Sequence, residues 1–519
     1  MEPTDHSGTT PDRVSHLLEF LRRYSRQRLD SRRMDERRAF PTSLIPDLAA
    51  HGLFGLQIAE EHGGLGLSHS DFLRVITQLG AIDANLFVLL GVHNTLGVPP
   101  VAHYAAEHVK NAVLPDVAQG RALITSAISE PGAGSNVRAV QARAERWPDG
   151  SYVINGSKQW ISLGADATYV NVFARLSDEY GRDLGITGFL VDTSTPGFVG
   201  GPEVLTLGLK AVPQNSLEFQ SLRVPGDALL GGEGAGLLAA KEAFMRGRVT
   251  LAAGGLGAMM RSLELAERFA RRRQVATGNL AENGRIHQLF AESVAATQAV
   301  EALVHYIGAR MDSGEHVPEE LFFAAKITGC ELMWQVVDRS VQLLGARGYV
   351  DTNVLGQFFR DYRLLRIFEG STEAITVYLG SRMLAAPQRV LSLLDEFDVA
   401  PHLQELAAGV AKLASAKTAN VQSQHVLANV VGELTCWTIM AGLTGQSQHR
   451  SEMAQYTAAW CEQQLSERLR TAEQGTPFVE LPTVDAIARH IGSYDDTIGD
   501  VEQRRPGDQN DLDLLLRRH

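Results

Sequence analysis

The chain is poor in cysteine and carries no excess of positive charge. Its three cysteines, Cys330, Cys436 and Cys461, lie far apart among 519 residues. This spacing offers neither a disulfide framework nor a zinc motif, so we expect free thiols, no metal site and a reducing compartment. Lys and Arg number 48 against 60 Asp and Glu, a formal net charge of -12. Nucleic acids and membrane surfaces attract a basic excess, so neither partner is expected.

Targeting and membrane signals are also missing from the sequence. The first eleven residues form neither a basic-plus-apolar signal region nor an Arg-rich amphipathic presequence. We find no apolar stretch that approaches the roughly 18 to 20 residues of a membrane span. A cytoplasmic protein without a transmembrane segment is therefore expected. The hydrophobic share of 44% and the charged share of 21% are typical of a packed globular chain.

Changes in composition and in hydrophobic periodicity divide the chain into four predicted domains. Residues 1–120 show apolar residues at helical spacing. Residues 121–233 carry short runs of β-forming residues between Gly, Pro, Asp and Asn turns, which predicts a small β domain. Long helical patterns return over 234–387, and 388–519 is a more polar helical extension. Its charged tail after about Asp495 is expected to be partly disordered.

The first segment that indicates chemistry is SAISEPGAGSN, residues 126–136. A predicted strand runs into a loop with two glycines and several small polar residues. Glycine lets a backbone approach a flat or phosphorylated ligand closely, and exposed N–H groups and hydroxyls can bond its polar rim. The segment matches neither a GxGxxG element nor a Walker loop. Taken alone, a plain hairpin loop is the commoner explanation.

The second segment is NGSKQWISLG, residues 155–164. Its Asn-Gly pair predicts a tight hairpin turn. Trp160 and Ser162 follow two positions apart, so they share one face of a strand. There an indole could stack on a cofactor ring while the hydroxyl bonds its edge. A tryptophan in the hydrophobic core is the alternative.

The third segment is RDYRLLRIFEGSTE, residues 360–373. Glu369 follows an apolar pair and precedes Gly370, where a helix capped by Ser371 or Thr372 should begin. One explanation is a carboxylate that complements the helix start. The other is a base that projects into a pocket, where burial would raise its pKa toward the range useful for proton abstraction.

In this order and spacing the three segments together resemble the acyl-CoA dehydrogenase family, over roughly residues 35–385. The chain looks most similar to the very-long-chain type, because of GVH at 91–93, Gly247-Arg248 in a long Ala-rich helix, and the C-terminal extension. The resemblance implies an α+β fold with an N-terminal helical domain, a small central β-barrel domain, a C-terminal four-helix bundle and an extra helical region. It also implies FAD-dependent dehydrogenation of an acyl thioester to a trans-2-enoyl thioester, with electrons passed to an electron-transfer flavoprotein.

The resemblance also implies roles for single residues. Glu369 takes the position of the catalytic base. The positions implied to bind FAD are Ser126, Ile128, Ser129, Gly134, Ser135, Trp160, Ile161, Ser162, Ser371 and Glu373. The positions implied to contact a neighbouring subunit's FAD, in a homodimer or homotetramer, are Arg272, Gln342, Gly345 and Ala346. Substrate contacts are implied for Ser135, Met245, Arg248, Phe368 and Gly370.

Some positions depart from the family pattern. Asn136 stands where Asp is usual, and Met245 replaces a polar residue common near bound coenzyme A. The thioester carrier is therefore left open between coenzyme A and an acyl carrier protein. Two other functions remain as alternatives. One is a flavin monooxygenase or oxidase on the same scaffold, although such relatives commonly lack the glutamate. The other is a non-catalytic assembly factor, which the C-terminal extension would allow.

Overall fold

The structure, a computed structural model, describes residues 10–397, 399–416, 420–445, 451–475 and 481–498. The chain divides into two compact units, residues 1–470 and 471–519. Most of the tail that was predicted to be disordered, residues 499–519, lies outside the described residues.

The N-terminal region is helical. Its helices are α1 (Thr10–Gln27), α2 (Ser31–Arg37), α3 (Leu44–Ala49), α4 (His69–Ile82), α5 (Ala84–Gly91), α6 (Val98–Tyr104) and α7 (Glu107–Ala118). Side-chain caps fix three of the starts: Asp30 accepts from the N–H of Arg33 at α2, Ser68 from that of Asp71 at α4, and Asp83 from two N–H groups at α5. A π-helical segment, Val92–Gly97, joins α5 to α6.

One seven-stranded sheet follows. Its strands are β1 (Ile124–Ala127), β2 (Arg143–Arg146), β3 (Tyr152–Ser162), β4 (Tyr169–Ser177), β5 (Asp183–Asp192), β6 (Phe198–Glu203) and β7 (Gln214–Val224). The order is β1-β4-β2-β3-β7-β6, with β5 also paired to β4. Strands β1 and β2 run parallel to β4, and the other pairs are antiparallel. Ile154, Phe173, Phe189 and Leu217 are among its buried core residues.

The hairpin predicted at Asn155-Gly156 is wrong. Strand β3 runs through both residues, and its register with β7 shifts between Ile154 and Gly156. Gly156 has φ +139°, and a Cβ there would lie 2.8 Å from the Cα of Ala142. Asn155 Oδ1 accepts from the N–H of Ser221 at 2.7 Å. The Asn-Gly pair therefore makes a β-bulge, because a neighbouring strand comes too close for any side chain at 156.

The remaining chain is mainly helical, which confirms the predicted α+β class. Helices α8 (Gly236–Ala270), α9 (Gly284–Asp312) and α10 (Glu319–Leu344) pack against one another, and α12 (Thr372–Ala385) packs on α10. Short strands β8 (Gln274–Val275) and β9 (Gly278–Asn279) follow α8, and α11 (Val354–Tyr362) precedes α12. The extension adds α13 (Arg389–Ser392), α14 (Pro401–Ala414), α15 (Val421–Gly445) and α16 (Glu452–Glu473). The second unit contains α17 (Val484–Gly492) and α18 (Asp495–Ile498).

Glycines let two helix pairs approach to backbone contact. Between α12 and α15, a Cβ on Gly380 would lie 1.7 Å from the carbonyl oxygen of Ala428, and one on Gly432 would lie 2.2 Å from that of Thr376. Between α4 and α8, a Cβ on Gly80 would lie 2.1 Å from the carbonyl oxygen of Gly254. These crossings admit no side chain, so glycine is required for the helices to pack this closely.

Two helical stretches are long and apolar enough to cross a membrane, contrary to the prediction that none approaches that length. They are Ala84–Tyr104, of mean hydropathy 1.2, and Val421–Gly445, of mean hydropathy 1.5. In the fold 83% and 78% of these windows are buried. Helices that are apolar all round are typical of a protein core as well as of a membrane, so their composition alone does not place them in either.

Candidate active site

Glu369 lies in the loop between α11 and α12 in a strained backbone conformation. Its φ is +56°, in the left-handed region that costs a non-glycine residue roughly 1–2 kcal/mol. Gly370 follows with φ +91°, and Ser371 caps α12 by accepting from the N–H of Ala374 at 3.4 Å. The turn at Glu369 and Gly370 places Glu369 outside α12, before its capping residue. Strained backbone conformations of this kind cluster at functional sites.

The Glu369 side chain borders a narrow apolar cleft with room for about 20 Å³. The walls come from α5, the π segment, α8 and the loop that carries Glu369. The lining residues are Phe87, Val88, Gly91, Val92, Thr95, Leu96, Gly247, Thr250, Leu251, Phe368 and Glu369. The ideal Cβ position of Gly247 lies 3.7 Å from Glu369 Oε2. A glycine at 247 therefore leaves room for the carboxylate beside α8.

Burial perturbs the Glu369 carboxyl group strongly. Part of the residue is accessible, but Oε2 is buried and has no hydrogen-bond partner among the described residues. Desolvation raises its pKa to about 7, against the opposing effects of Arg248 and Lys326. A carboxylate held in this way has a proton affinity suited to general-base chemistry near neutral pH.

The two cations near Glu369 are themselves removed from water. Arg248 stacks its guanidinium 4.4 Å from the ring centroid of Phe323, and its Nη1 lies 3.2 Å from Met245 Sδ. Burial lowers the pKa of Arg248. Lys326 is fully buried and donates to the carbonyl oxygen of Leu365 at 2.6 Å, four residues before Glu369. This bond anchors the chain before Glu369 to α10.

Polar side chains hold the π segment that forms one wall of the cleft. Asn94 Nδ2 donates to the carbonyl oxygens of Leu53 and Leu90, both at 3.0 Å. His93 is fully buried, with Nδ1 3.3 Å from the N–H of Ile124 and Nε2 3.1 Å from the carbonyl oxygen of Phe54. Burial lowers the pKa of His93 to about 4, so it is neutral at physiological pH. These side-chain hydrogen bonds pair backbone groups around the π segment, where the regular backbone hydrogen bonds of an α-helix are interrupted.

The glycine-rich segment 126–136 forms the end of β1 and an open loop. Ideal Cβ atoms on Gly132 and Gly134 would meet no atom of the described residues within 4 Å. The carbonyl oxygen of Ser129 accepts from the N–H of Gln159 at 2.9 Å, which joins the loop to β3. Ser135 is exposed, whereas Ile128 is buried. The loop thus offers an accessible backbone beside a sheet, which is suited to a large ligand.

Trp160 lies on β3 next to this loop and is not a core residue. It is 52% exposed and has φ +62°, at a second irregularity in the β3–β7 register. Ile161 beside it is buried. Ser162 Oγ lies 2.8 Å from Gln214 Nε2. An accessible indole with a hydroxyl two residues away forms a platform on which a flat ring could stack.

A buried ion pair that was not predicted from the sequence ties the loop to β3. Lys158 Nζ lies 2.7 Å from Glu130 Oε1 and donates to the carbonyl oxygen of Ile128 at 3.1 Å. Glu130 also accepts from the N–H groups of Gln141 and Ala142, at 2.7 and 3.0 Å. The available signal was that Lys158 continues the alternation of Tyr152 and Ile154, which places it on the buried face of the strand, where an ammonium requires a partner.

We expect Lys158→Met to destabilise the protein by about 3–5 kcal/mol, because it leaves the Glu130 carboxylate buried without its cation. Chemical denaturation of the purified variant measures the change. The double variant Lys158→Met, Glu130→Gln should regain part of the loss, since no buried charge remains. Equal stability of wild type and Lys158→Met would contradict this role.

Other predicted site residues lie apart from the cleft. Arg272 lies two residues beyond the end of α8, Gln342 lies in the last turn of α10, and Gly345 and Ala346 lie in the 3-10 turn after it. These two helix ends share a small core that contains Ala266 and Leu344. Glu373 is exposed and borders a separate cavity of about 360 Å³ between α10, α12, α15 and α16. Within one chain these residues therefore do not complete the site at Glu369.

Family models of the acyl-CoA dehydrogenases match most of the chain. The N-terminal domain matches residues 12–121, the middle domain 125–222 and the C-terminal domain 234–384. An acyl-CoA dehydrogenase of Bacillus subtilis is 30% identical over 351 residues, which cover 68% of this chain and 92% of that protein. The chain therefore belongs to the acyl-CoA dehydrogenase family.

Particular relatives extend the comparison. The human mitochondrial very-long-chain specific acyl-CoA dehydrogenase is 28% identical over 371 residues, 70% of this chain and 57% of that protein. The chain thus spans little more than half the length of the mitochondrial relatives it matches. Butyryl-CoA dehydrogenase of Megasphaera elsdenii superposes with a TM-score of 0.68 and 26% identity, covering 73% of this chain and all of that one.

One solved structure also covers the extension. An acyl-CoA dehydrogenase of Bacillus anthracis complexed with FAD has a TM-score of 0.74 at 22% identity and covers 95% of this chain and 92% of that one. At this identity the likeness shows the fold alone. The C-terminal helices beyond residue 384 are therefore part of an architecture found in another member of the fold.

Proposed function

We propose that the protein catalyses the FAD-dependent α,β-dehydrogenation of an acyl thioester to a trans-2-enoyl thioester, with Glu369 as the base. The observation that carries the proposal is the Glu369 carboxylate, whose Oε2 is buried without a hydrogen-bond partner among the described residues at an apolar cleft. An isolated carboxylate at a dry cleft costs stability, so its retention favours a chemical role.

Glu369 would take the proton from the carbon next to the thioester carbonyl. That C–H bond breaks, the proton moves to the carboxylate, and negative charge builds on the carbonyl oxygen. The backbone N–H of Glu369 is our proposed donor to this oxygen, and such a donor contributes about 3–4 kcal/mol to transition-state stabilisation. The apolar cleft strengthens both interactions because it excludes water.

The residues near the loop fit a flavin cofactor. The open glycine positions, the accessible indole of Trp160 and the surrounding hydroxyls offer stacking and hydrogen bonds without a clash. When bound, FAD supplies the two-electron oxidation that proton removal alone cannot achieve. The residues proposed to hold it are Ser126, Ile128, Ser129, Gly134, Ser135, Trp160, Ile161, Ser162, Ser371 and Glu373.

We propose a homodimer or homotetramer in which a neighbouring subunit completes the flavin site. Arg272, Gln342, Gly345 and Ala346 lie at one end of the bundle, away from the same chain's cleft. The residues proposed to contact the thioester are Ser135, Met245, Arg248, Phe368 and Gly370. Either coenzyme A or an acyl carrier protein is compatible with these groups, and an electron-transfer flavoprotein is the proposed acceptor.

Anaerobic bleaching of the bound flavin by acyl thioesters tests the function. We expect octanoyl coenzyme A or the matching carrier-protein thioester to bleach the flavin and yield the enoyl product. Rapid oxygen consumption without an added acceptor would instead indicate an oxidase or monooxygenase. Failure of every acyl thioester, of any length and on either carrier, to bleach the flavin would refute the proposal.

The pH dependence follows from the Glu369 pKa of about 7. The base must be ionised, so kcat/KM should fall about tenfold per pH unit below that value and level off above it. The raised pKa of Glu369 has the opposite pH dependence in folding stability. Because the folded state holds this proton more tightly than the unfolded state, ionisation lowers stability as pH rises from about 4.5 toward 7. A flat kcat/KM profile between pH 5 and 8, roughly the range of neutral enzymes, would contradict this assignment.

A further inference from the structure

Two lysines in the described part of the chain are fully buried, and they differ in their partners. Lys158 and Lys326 are both 0% exposed. Lys158 pairs with Glu130, whereas Lys326 Nζ donates to the carbonyl oxygen of Leu365 at 2.6 Å and has no ion-pair partner among the described residues. A buried ammonium without a paired carboxylate lowers stability, so its retention favours a role beyond packing.

We infer that Lys326 is a positioning residue for Glu369, which fixes the turn before the base and supplies a buried positive charge that acts on its carboxylate. The inference rests on the proposed function, because the step that it serves is proton removal by Glu369. Lys326 is not among the residues that line the cleft, so it acts through Glu369 and not on the substrate.

The backbone before Glu369 explains how one bond can position the base. The N–H of Phe368 donates to the carbonyl oxygen of Leu364 at 3.2 Å, which closes a helical turn directly before Glu369. Leu365 lies inside this turn, is 0% exposed, and carries the carbonyl that Lys326 holds. Glu369 follows with its strained φ of +56°, and such a conformation persists only where the surrounding structure enforces it. The Lys326 bond is one of these constraints.

The charge of Lys326 also acts on the Glu369 carboxylate. Arg248 from α8 and Lys326 from α10 are the two cations that act on it, and both oppose the desolvation that raises its pKa. Arg248 interacts in turn with Glu319 and Tyr378. Without Lys326 the carboxylate would be left with Arg248 alone, which favours its protonated form.

A second contact between α10 and the same turn provides a matched comparison. Arg366 Nε donates to Glu331 Oε1 at 2.6 Å, and the two side chains are 25% and 24% exposed. Burial raises the pKa of the neighbouring Cys330 thiol, so this group is neutral and adds no charge. The Arg366–Glu331 pair therefore holds the turn without placing an unpaired buried charge near the base, unlike Lys326.

The pH profile of flavin reduction by octanoyl coenzyme A tests the role of the charge. Wild type should lose kcat/KM below the Glu369 pKa of about 7. In Lys326→Met this limb should move to higher pH by about one unit, so that kcat/KM at about pH 6, relative to its plateau, falls roughly tenfold below wild type. Lys326→Arg retains the charge and the donor, and Glu331→Gln alters only the second contact. Both should keep the wild-type midpoint.

A double-mutant cycle on folding tests the same coupling without turnover. Lys326→Met and Glu369→Gln are compared singly and together by denaturant unfolding of the FAD-loaded protein at about pH 5 and about pH 8, on either side of the Glu369 pKa. Lys326→Met should cost more stability at the higher pH, where Glu369 is ionised, and Glu369→Gln should remove this difference. Lys326→Gln replaces Lys326→Met in both measurements if the methionine variant does not fold.

The outcomes separate this inference from the proposed function. A shifted midpoint in Lys326→Met, absent from Lys326→Arg and Glu331→Gln, supports the inference. A wild-type midpoint in Lys326→Met, an equal shift in either comparison variant, or an equal loss of stability at both pH values overturns it and leaves Glu369 as the base. If no acyl thioester bleaches the wild-type flavin, the proposed function fails, and the folding cycle still decides whether Lys326 acts on Glu369.

Discussion

Glu369→Gln should reduce turnover by about 10²–10⁴-fold, because the amide retains the size of the carboxylate but cannot accept the α-proton. The variant should fold and bind FAD, since Oε2 accepts no hydrogen bond from the described residues and the amide removes an unfavourable buried charge. Single-turnover flavin reduction by octanoyl coenzyme A measures the loss at the chemical step.

Asp361→Asn provides the control for this experiment. Asp361 is also buried, with a pKa raised to about 7 by desolvation, but it does not line the cleft. Its Oδ1 accepts from the N–H of Leu209 at 2.7 Å, so its role is structural. Turnover within a few-fold of wild type is expected for this variant. Near-normal dehydrogenation by Glu369→Gln would show that another group is the base.

Gly432→Val should destabilise the protein by about 3 kcal/mol or more, at the upper end of overpacking costs. A Cβ at this position would lie 2.2 Å from the carbonyl oxygen of Thr376, and a backbone oxygen cannot move aside as a side chain can. The helix pair α12 and α15 must separate, which detaches part of the extension from the bundle. Denaturant unfolding and limited proteolysis of the extension report the two effects.

Gly284→Ala is the matched substitution for comparison. Gly284 is also helical, but in the described part of the chain no neighbouring atom lies within 4 Å of its ideal Cβ, so only a small change in stability is expected. If Gly432→Val unfolds at the same denaturant concentration as Gly284→Ala and resists protease equally, the close crossing does not hold the extension.

Much of the fold could be predicted from local patterns. The short strands predicted within 121–233 are found as β1 to β7, between Ile124 and Val224, because alternation and turn residues are local signals. The Asn155-Gly156 hairpin was wrong because the approach of Ala142 decided the conformation, and that residue belongs to another part of the sheet. The glycine crossings were not predicted either, since they depend on which helices meet.

The candidate site was predictable only in part. The apolar pair before Glu369 and Gly370 after it indicated an unusual position in the sequence. The resemblance to the acyl-CoA dehydrogenases implied its role as the base. The cleft itself could not be derived, because its walls come from Phe87 to Leu96 and from Gly247 to Leu251, far from Glu369 in sequence. The exposure of Trp160 likewise depends on a strand irregularity that composition does not reveal. The roles of these residues and the four domain ranges stay predictions.

Asp35 of α2 joins three distant parts of the chain. Its Oδ2 lies 3.0 Å from Lys210 Nζ in the β6–β7 connection and 2.7 Å from Arg360 Nη2 on α11. Both bonds close loops of well over a hundred residues, so their entropic cost is met only once the helical and β regions are already assembled. The junction should therefore form late in folding and couple these regions into one cooperative unit. A substitution that disrupts α2 should then also destabilise α11 and the loop after it that carries Glu369.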